Sequence, residues 1–259
     1  MIKSNRVPTY SYNPDKGQWQ ADERALVREV PLQIWVNGEL LVTLHRTPGD
    51  EFLLAAGFLY YQGLIGSLED ITARRLVSAA DDVRADNPLA ADSVRLTIKP
   101  PPTAITRLTA AAIWTIIAPQ VREKRPDPFL LPPRLIPGLP DKLFSHQRLY
   151  ESTAGAHAVA LLNRDGRILH CEEDVGRTNA LDKIVGYCIF NKIDMGSVAA
   201  LFSGRINLEM AVKIARAGFP LALSISAPTA GAVAVLRQTG MAYVGSLQKK
   251  PVTLFCGSL

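Results

Sequence analysis

Apolar residues recur along this chain in two periods, and the switches between them mark its elements. PLQIWVNG and ELLVTLHR flank Asn37-Gly38, a dipeptide suited to a tight hairpin turn, so residues 31–46 are predicted to form two antiparallel strands. Thr47-Pro48-Gly49-Asp50 follows with the chemistry of a helix start: Thr47 as N-cap, Pro48 at the first helical position and Asp50 closing a capping box. The helix it opens carries Phe52, Ala55, Ala56, Leu59 and Tyr60 on one stripe, which predicts packing against a sheet, and Gly63 and Gly66 end it. Ser93–Lys99 alternates as a strand, and 108–118 reads as a helix.

Residues 119–141 contain Pro119, Pro126, Pro128, Pro132, Pro133, Pro137 and Pro140, which predicts a linker or an extended surface loop rather than helix or central strand. The C-terminal half is more regular. AHAVALL and RILHCEE are predicted strands about an Asn163-Arg164-Asp165-Gly166 turn, and SVAALF, FPLALSIS, MAYVGSL and PVTLFCG are further strands. Helices are predicted over 179–191, 207–217 and 229–238. The organisation read from the sequence is a loosely ordered polar arm (1–28), a hairpin, helix and strand part (29–118), a proline-rich connector (119–142) and an α/β core with a mixed sheet (143–259).

Composition narrows the class. With 259 residues, 47% of them hydrophobic, the chain can bury a core without staples. No apolar run approaches the length of about 18 residues that a membrane span needs, and the N-terminus lacks a secretory h-region, so a cytoplasmic protein is expected. The net charge of +5 suits an anionic ligand or an acidic partner but is too small and dispersed to predict nucleic-acid binding. Cys171, Cys188 and Cys256 are odd in number and far apart, with no CxxC pair. Cys188 falls on the apolar stripe of its helix, and the carboxylates beside Cys171 oppose a thiolate, which leaves Cys256 as the first candidate for a reactive thiol.

Candidate chemistry gathers where strands hand over to helices. Three such junctions carry dense polar residues: 172–183, with Asp174, Gly176, Arg177, Asn179, Asp182 and Lys183; Ser203-Gly204-Arg205; and Ser226-Ala227-Pro228-Thr229. Small residues there let backbone approach a ligand, helix starts offer unpaired N–H groups to an anion, and Arg177 and Arg205 add bidentate donors. The competing structural reading is helix capping and surface ion pairing, since Arg205, Glu209 and Lys213 are spaced four apart. His157, at the start of a strand, is either a capping or core histidine or a polar ligand contact. His170-Cys171-Glu172 spells the first half of a zinc-deaminase signature, but the second half, P-C-x-x-C, is absent, so zinc is rejected.

These segments together resemble the formate dehydrogenase accessory protein family, FdhD. The matching stretches are Glu29-Val30-Pro31-Leu32 with Val36-Asn37-Gly38, TPGDEFLLAAGFLYYQGLI, STAGAHAVALL, EEDVGRTNALDKIVG, FSGRINLEMAVKIARAG and ISAPTAGAV. The resemblance implies a cytoplasmic homodimer with a cytidine-deaminase-like three-layer α/β core and a smaller N-terminal α+β subdomain. It implies a sulfurtransferase-type carrier that takes sulfur from a cysteine desulfurase. The sulfur passes to a molybdenum bis(molybdopterin guanine dinucleotide) cofactor destined for formate dehydrogenase. A GDP-like nucleotide would share the phosphate site, without zinc, nucleic acid or membrane. The last strand, Val252-Thr253-Leu254-Phe255-Cys256-Gly257, is implied to contribute to it.

Two departures stand out. The family carries a C-x-x-C-type loop after the strand that matches Ser93–Lys99. Here that loop reads Pro101-Pro102-Thr103-Ala104-Ile105-Thr106-Arg107 and offers no thiol for a persulfide. The family's G-R-H-N is Gly176-Arg177-Thr178-Asn179. The alternatives to a cofactor-binding accessory protein are a non-catalytic escort of a partner enzyme and a deaminase-fold enzyme with another substrate.

Overall fold

The computed structural model describes residues 3–78, 91–99, 108–123, 129 and 131–259. Strands β1 (Ser4–Asn13) and β2 (Gln18–Val27) pair as an antiparallel hairpin, where a loosely ordered arm was expected. None of its strand residues is buried and most are exposed, so no buried face imprints an alternation on the sequence. Cross-strand pairs hold it instead. Ser11 Oγ donates to Asp22 at 2.6 Å, Arg6 meets Glu23 at 3.0 Å, and the Tyr12 and Trp19 rings lie 5.4 Å apart. At the turn, Asn13 Oδ1 accepts the amides of Asp15 and Lys16.

The predicted hairpin is β3 (Val30–Val36) and β4 (Glu39–Arg46). Helix α1 (Glu51–Gln62) follows, then β5 (Ile71–Val77) and β6 (Asp92–Ile98), and the four strands form a sheet in the order β4-β3-β6-β5. Strand β5 escaped the sequence reading because Arg74 and Arg75 interrupt its apolar pattern. The start of α1 also differs from expectation. Its N-cap is Asp50, in a left-handed conformation with no side-chain cap, whereas Thr47 Oγ1 accepts the Val175 amide at 3.0 Å and so ties this corner to the C-terminal half.

Helix α2 (Ala110–Glu123) runs past Pro119 into the stretch expected to be a linker, a 3-10 turn over Pro133–Gly138 and α3 (Leu139–Phe144) occupy more of it, and α4 (Arg148–Thr153) follows. Pro133 and Pro140 sit in first-turn positions, where the missing N–H has no partner to lose. Phe129, Leu131, Ile136, Leu139 and Leu143 are buried, so this segment covers a sheet face instead of spanning solvent.

The second sheet joins β7 (His157–Leu162), β8 (Ile168–Asp174), β9 (Ala199–Phe202), β10 (Leu221–Ser224), β11 (Ala242–Gly245) and β12 (Thr253–Cys256) in the order β12-β11-β10-β9-β7-β8. Strands β9, β10 and β11 are mutually parallel and the other pairs antiparallel, a mixed sheet as predicted. Helices α5 (Arg177–Phe190), α6 (Leu208–Ala217) and α7 (Ala230–Thr239) alternate with its strands. Along β7 the side chains divide by parity. Val159 and Leu161 join the core on the α5 side, whereas Ala158, Ala160 and Leu162 meet the Phe129–Leu143 layer.

Helix α1 was expected on a sheet. It does face β5 and β6, but its main partner is α5. A Cβ built on Gly57 would lie 1.8 Å from the Asp182 carbonyl oxygen, and one on Gly186 would lie 2.0 Å from that of Leu53. The two helices therefore touch backbone to backbone at two points one turn apart, and α1 is buried nearly all round. Among the described residues, no helix is long and apolar enough to cross a membrane.

Candidate functional site

The topology places the candidate junctions on a single sheet edge. Strands β9, β10 and β11 end there, β7 begins there at His157, and β8 ends there at Asp174, which pairs with His157. Hydrogen bonds then lace neighbouring loops together. Ser203 Oγ accepts the Ala158 amide at 2.8 Å, Ser226 Oγ donates to Ser203 O at 3.3 Å, and the Thr229 amide donates to Ile206 O at 3.0 Å. The Ser246 amide reaches Ser226 O at 3.2 Å, extending the row to the end of β11. The crevice of an open α/β sheet at the carboxyl ends of its strands is where such folds take ligands.

The centre of the row is His157, Gly204 and Arg177. A Cβ on Gly204 would stand 3.1 Å from His157 Nδ1 and 3.8 Å from Arg177 Cβ, so the three loops meet closely at this glycine and a side chain there would press on the His157 ring. Arg177 Nε is buried without a hydrogen-bond partner, and Gly176, the N-cap of α5, supplies no side chain to its first amides. By contrast, Asn207 Oδ1 accepts the Met210 amide and Thr229 Oγ1 the Ala232 amide, which caps α6 and α7. Arg205 is exposed at the rim, with Ala227 beside the half-buried Pro228.

Burial, and then the neighbouring Arg177 guanidinium, hold His157 below the ordinary imidazole value of 6.5. The unfolded chain therefore takes this proton more readily than the folded one. The stability that neutral His157 contributes is complete above 6.5 and is lost as pH falls through its lowered value. Denaturant midpoints taken from about pH 7 to about pH 5 are expected to fall more steeply for the wild type than for His157→Gln. Parallel curves would show that the imidazole is not held neutral.

Four predicted site residues turn inward. Asp174 and Lys183 are fully buried and pair at 2.8 Å. Asp174 also accepts the Thr47 and Gly176 amides and Asn179 Nδ2, while Asn179 Nδ2 donates to His45 O at 2.7 Å. Asp182 forms a buried pair with Lys213 at 2.6 Å, and burial pushes its carboxyl up to about 6 against the pull of that ammonium. The EDVGRTNALDK stretch is thus largely an internal brace between α5 and the Arg46-Thr47 corner, which positions Arg177 without adding ligand donors. The i,i+4 reading of Lys213 fails as well, because Lys213 reaches α5 rather than Glu209.

The last strand divides. Thr253 pairs with Gly245 at the crevice edge, with Val252 just before it, whereas Cys256 pairs with Tyr243 toward the far end, and Leu254 and Phe255 lie between. Gly257 packs on the backbone of Met241 and Ala242, away from the crevice. Cys256 is buried, donates to Met241 O, and is raised above the ordinary thiol value by burial. Burial pushes Cys171 and Cys188 up to about 12. All three thiols are therefore held protonated, and the candidacy of Cys256 as a nucleophile at the site finds no support in its placement. Thr103, Ala104 and Thr106 lie outside the described residues. His170 bonds Glu172 at 2.8 Å and stacks on Tyr187, which accounts for the H-x-E match as a local pair on the edge strand β8.

Ser224, Tyr243 and Ser246 were missed by the sequence reading. Ser224 Oγ bonds both Tyr243 OH at 2.7 Å and Ser226 O at 2.6 Å, which braces the β10 loop from beneath. The serines closing each strand, Ser203, Ser224 and Ser246, were the available signal.

Fold and site together define a mixed α/β protein with polar, arginine-bearing loops at the carboxyl ends of its parallel strands. Residues 27–258 match the sequence profile of the FdhD/NarQ family, and the chain belongs to that family. Among curated relatives, the sulfur carrier protein FdhD of Streptomyces avermitilis is 34% identical over 245 residues, covering 90% of this chain and 87% of its own. That of Sulfolobus acidocaldarius is 33% identical over 231 residues, covering 88% of each chain. A crystal structure described as a formate dehydrogenase accessory protein from Desulfotalea psychrophila superposes with a TM-score of 0.71 over 99% of this chain and 98% of its own, at 23% identity, a likeness of fold.

Proposed function

We propose that this chain is a cytoplasmic, homodimeric accessory protein of the sulfur-carrier type that serves formate dehydrogenase maturation. Its crevice binds the guanine dinucleotide phosphates of a molybdenum bis(molybdopterin guanine dinucleotide) cofactor, or a GDP-like nucleotide, on a cytidine-deaminase-like core. The observation that carries the reading is the buried, unpartnered Nε of Arg177 beside a neutral histidine and an uncapped helix start. A buried guanidinium nitrogen left without an acceptor is costly, and an oxyanion would satisfy it. Arg177, Arg205, Ser203, Ser226 and Thr229 are the residues that would hold the phosphates, and His157 and Gly204 would shape their seat. The partners we propose, on the sequence resemblance, are a cysteine desulfurase as sulfur donor and formate dehydrogenase as recipient.

Sulfur carriage needs a thiolate that can accept and release an outer sulfur, and no cysteine here is set up as one. The role proposed for this chain is accordingly to hold the cofactor during transfer, not to bear the sulfur on its own thiols. Titration calorimetry with GDP tests the site. Arg177→Ala or Arg205→Ala is expected to weaken binding at least about tenfold, the effect of losing one charged hydrogen-bond partner. Unchanged affinity in both variants, or no binding to the wild type, overturns the phosphate site. Incubation with a desulfurase and cysteine, followed by non-reducing mass spectrometry, is expected to show no added sulfur. Sulfur found on Cys256 would restore carriage by this chain.

A further inference from the structure

The outer face of the four-stranded sheet carries a feature that the fold does not require. Trp35 on β3 lies opposite Arg95 on β6, and Arg95 lies opposite Arg75 on β5, so the three side chains form one row across three strands. Val94 and Leu96, which flank Arg95, belong to the buried core, so the row points away from α1. Like charges directly opposite each other destabilise a sheet. Among the described residues neither Arg75 nor Arg95 has a carboxylate within salt-bridge distance. Arg95 instead lies 5.4 Å over the Trp35 ring, whose Nε1 donates to Gln33 Oε1 at 3.0 Å and so pins the indole. Between them is a depression of about 240 Å³ lined by Trp35, Gly38, Arg74, Arg75, Arg95 and Thr97.

A charge on an edge strand is a common guard against unwanted strand pairing, and this accounts for Arg75 on β5. It does not account for Arg95, which sits on the interior strand β6. We propose that this face docks an extended, glutamate- or aspartate-bearing segment of a partner protein, one carboxylate seated between Arg75 and Arg95 with Trp35 as its apolar wall. The volume suits a carboxylate side chain with its flanking backbone and is smaller than the pockets of about 300–1,000 Å³ that hold cofactor-sized ligands. Among the described residues, Gln33, Thr43 and Ala73 beside the row are uncharged, Arg74 lies over the Phe52 and Phe190 rings and Lys99 pairs with Asp70, so no unengaged basic track continues along which a polynucleotide or an anionic membrane could neutralise successive phosphates. Helices α1 and α5 separate this face from the six-stranded sheet, so docking here leaves the crevice at Arg177 and Arg205 open.

The test uses the full chain and fluorescein-labelled hexaglutamate, read by anisotropy at low ionic strength. Saturable binding is expected, at least about tenfold weaker for Arg75→Ser/Arg95→Ser and unchanged for Arg205→Ala. The double variant is expected to melt no lower than the wild type, because it removes a like-charge pair. Equal peptide affinity in the double variant overturns the proposal, as does absence of binding or a loss confined to Arg205→Ala. Tighter binding of a single-stranded oligonucleotide or of phosphatidylserine vesicles through the same arginines overturns the choice of an acidic protein segment.

Discussion

Alanine at Gly186 is expected to lower the stability of the protein by at least about 3 kcal/mol, a fall in Tm of about 6–12 °C. The added methyl would stand 2.0 Å from the Leu53 carbonyl oxygen, and that obstacle is helix backbone, which cannot rotate aside as a side chain can. Relief requires α1 and α5 to separate along a crossing buried on both sides, with loss of packing around Leu54, Phe58, Ile184 and Val185. Gly57→Ala meets the Asp182 carbonyl in the same way and is expected to behave alike. Gly231→Ala, in α7, is the control. Its methyl finds only Leu208 Cδ1 at 3.6 Å, and helix propensity predicts a small gain of about 0.5–1 kcal/mol. Urea denaturation of the three variants measures all of this, and a Gly186→Ala protein as stable as the wild type would mean that the helices do not meet backbone to backbone.

Lys183→Met is expected to cost about 3–5 kcal/mol, because it leaves the Asp174 carboxylate uncompensated inside the protein. Both side chains are fully buried, and Lys183 Nζ also donates to Thr47 O at 3.3 Å and Glu173 O at 3.4 Å. Asp174→Asn/Lys183→Met is expected to recover much of the loss, since neither charge then remains to be desolvated. A double-mutant cycle by chemical denaturation reads the coupling directly, and strictly additive losses would deny the pair. The same brace fixes the turn from β8 into α5. Lys183→Met is therefore also expected to weaken GDP binding through misplacement of Arg177, although Lys183 itself cannot reach a ligand.

Much of this architecture was legible in the sequence where a single buried face imposed a period. The strands from β7 to β12, the three helices between them and the β3–β4 hairpin all came from alternation, helical stripes and turn residues. The β1–β2 hairpin did not, because strands exposed on both faces leave no periodic trace. The proline-rich stretch misled for a different reason. Proline disfavours helix interiors without excluding them, since α2 runs through Pro119, and it is accepted in first turns, which Pro133 and Pro140 occupy. Thr47-Pro48-Gly49-Asp50 looked like a helix cap, yet Thr47 spends its hydroxyl on Val175, more than a hundred residues away.

The site divides along the same line. Which residues stand at strand ends was set by the local sequence, and it sufficed to nominate His157, Arg177, Gly204, Arg205, Ser226 and Thr229. Whether a polar residue at such a junction faces the crevice or the interior depended on what packs behind it. The α1–α5 crossing and the Arg46-Thr47 corner supplied buried partners for Asp174, Asn179 and Lys183, while α6 supplied Lys213 for Asp182, and so drew these groups inward. Residue type and order determined the strands, the helices and the edge at which they meet. Only tertiary packing decided which charges are consumed as braces, which thiols are silenced by burial, and which guanidinium nitrogens (Nε of Arg177, Nε and Nη1 of Arg46) are left without a hydrogen-bond partner, because each outcome turns on desolvation by neighbours distant in the chain.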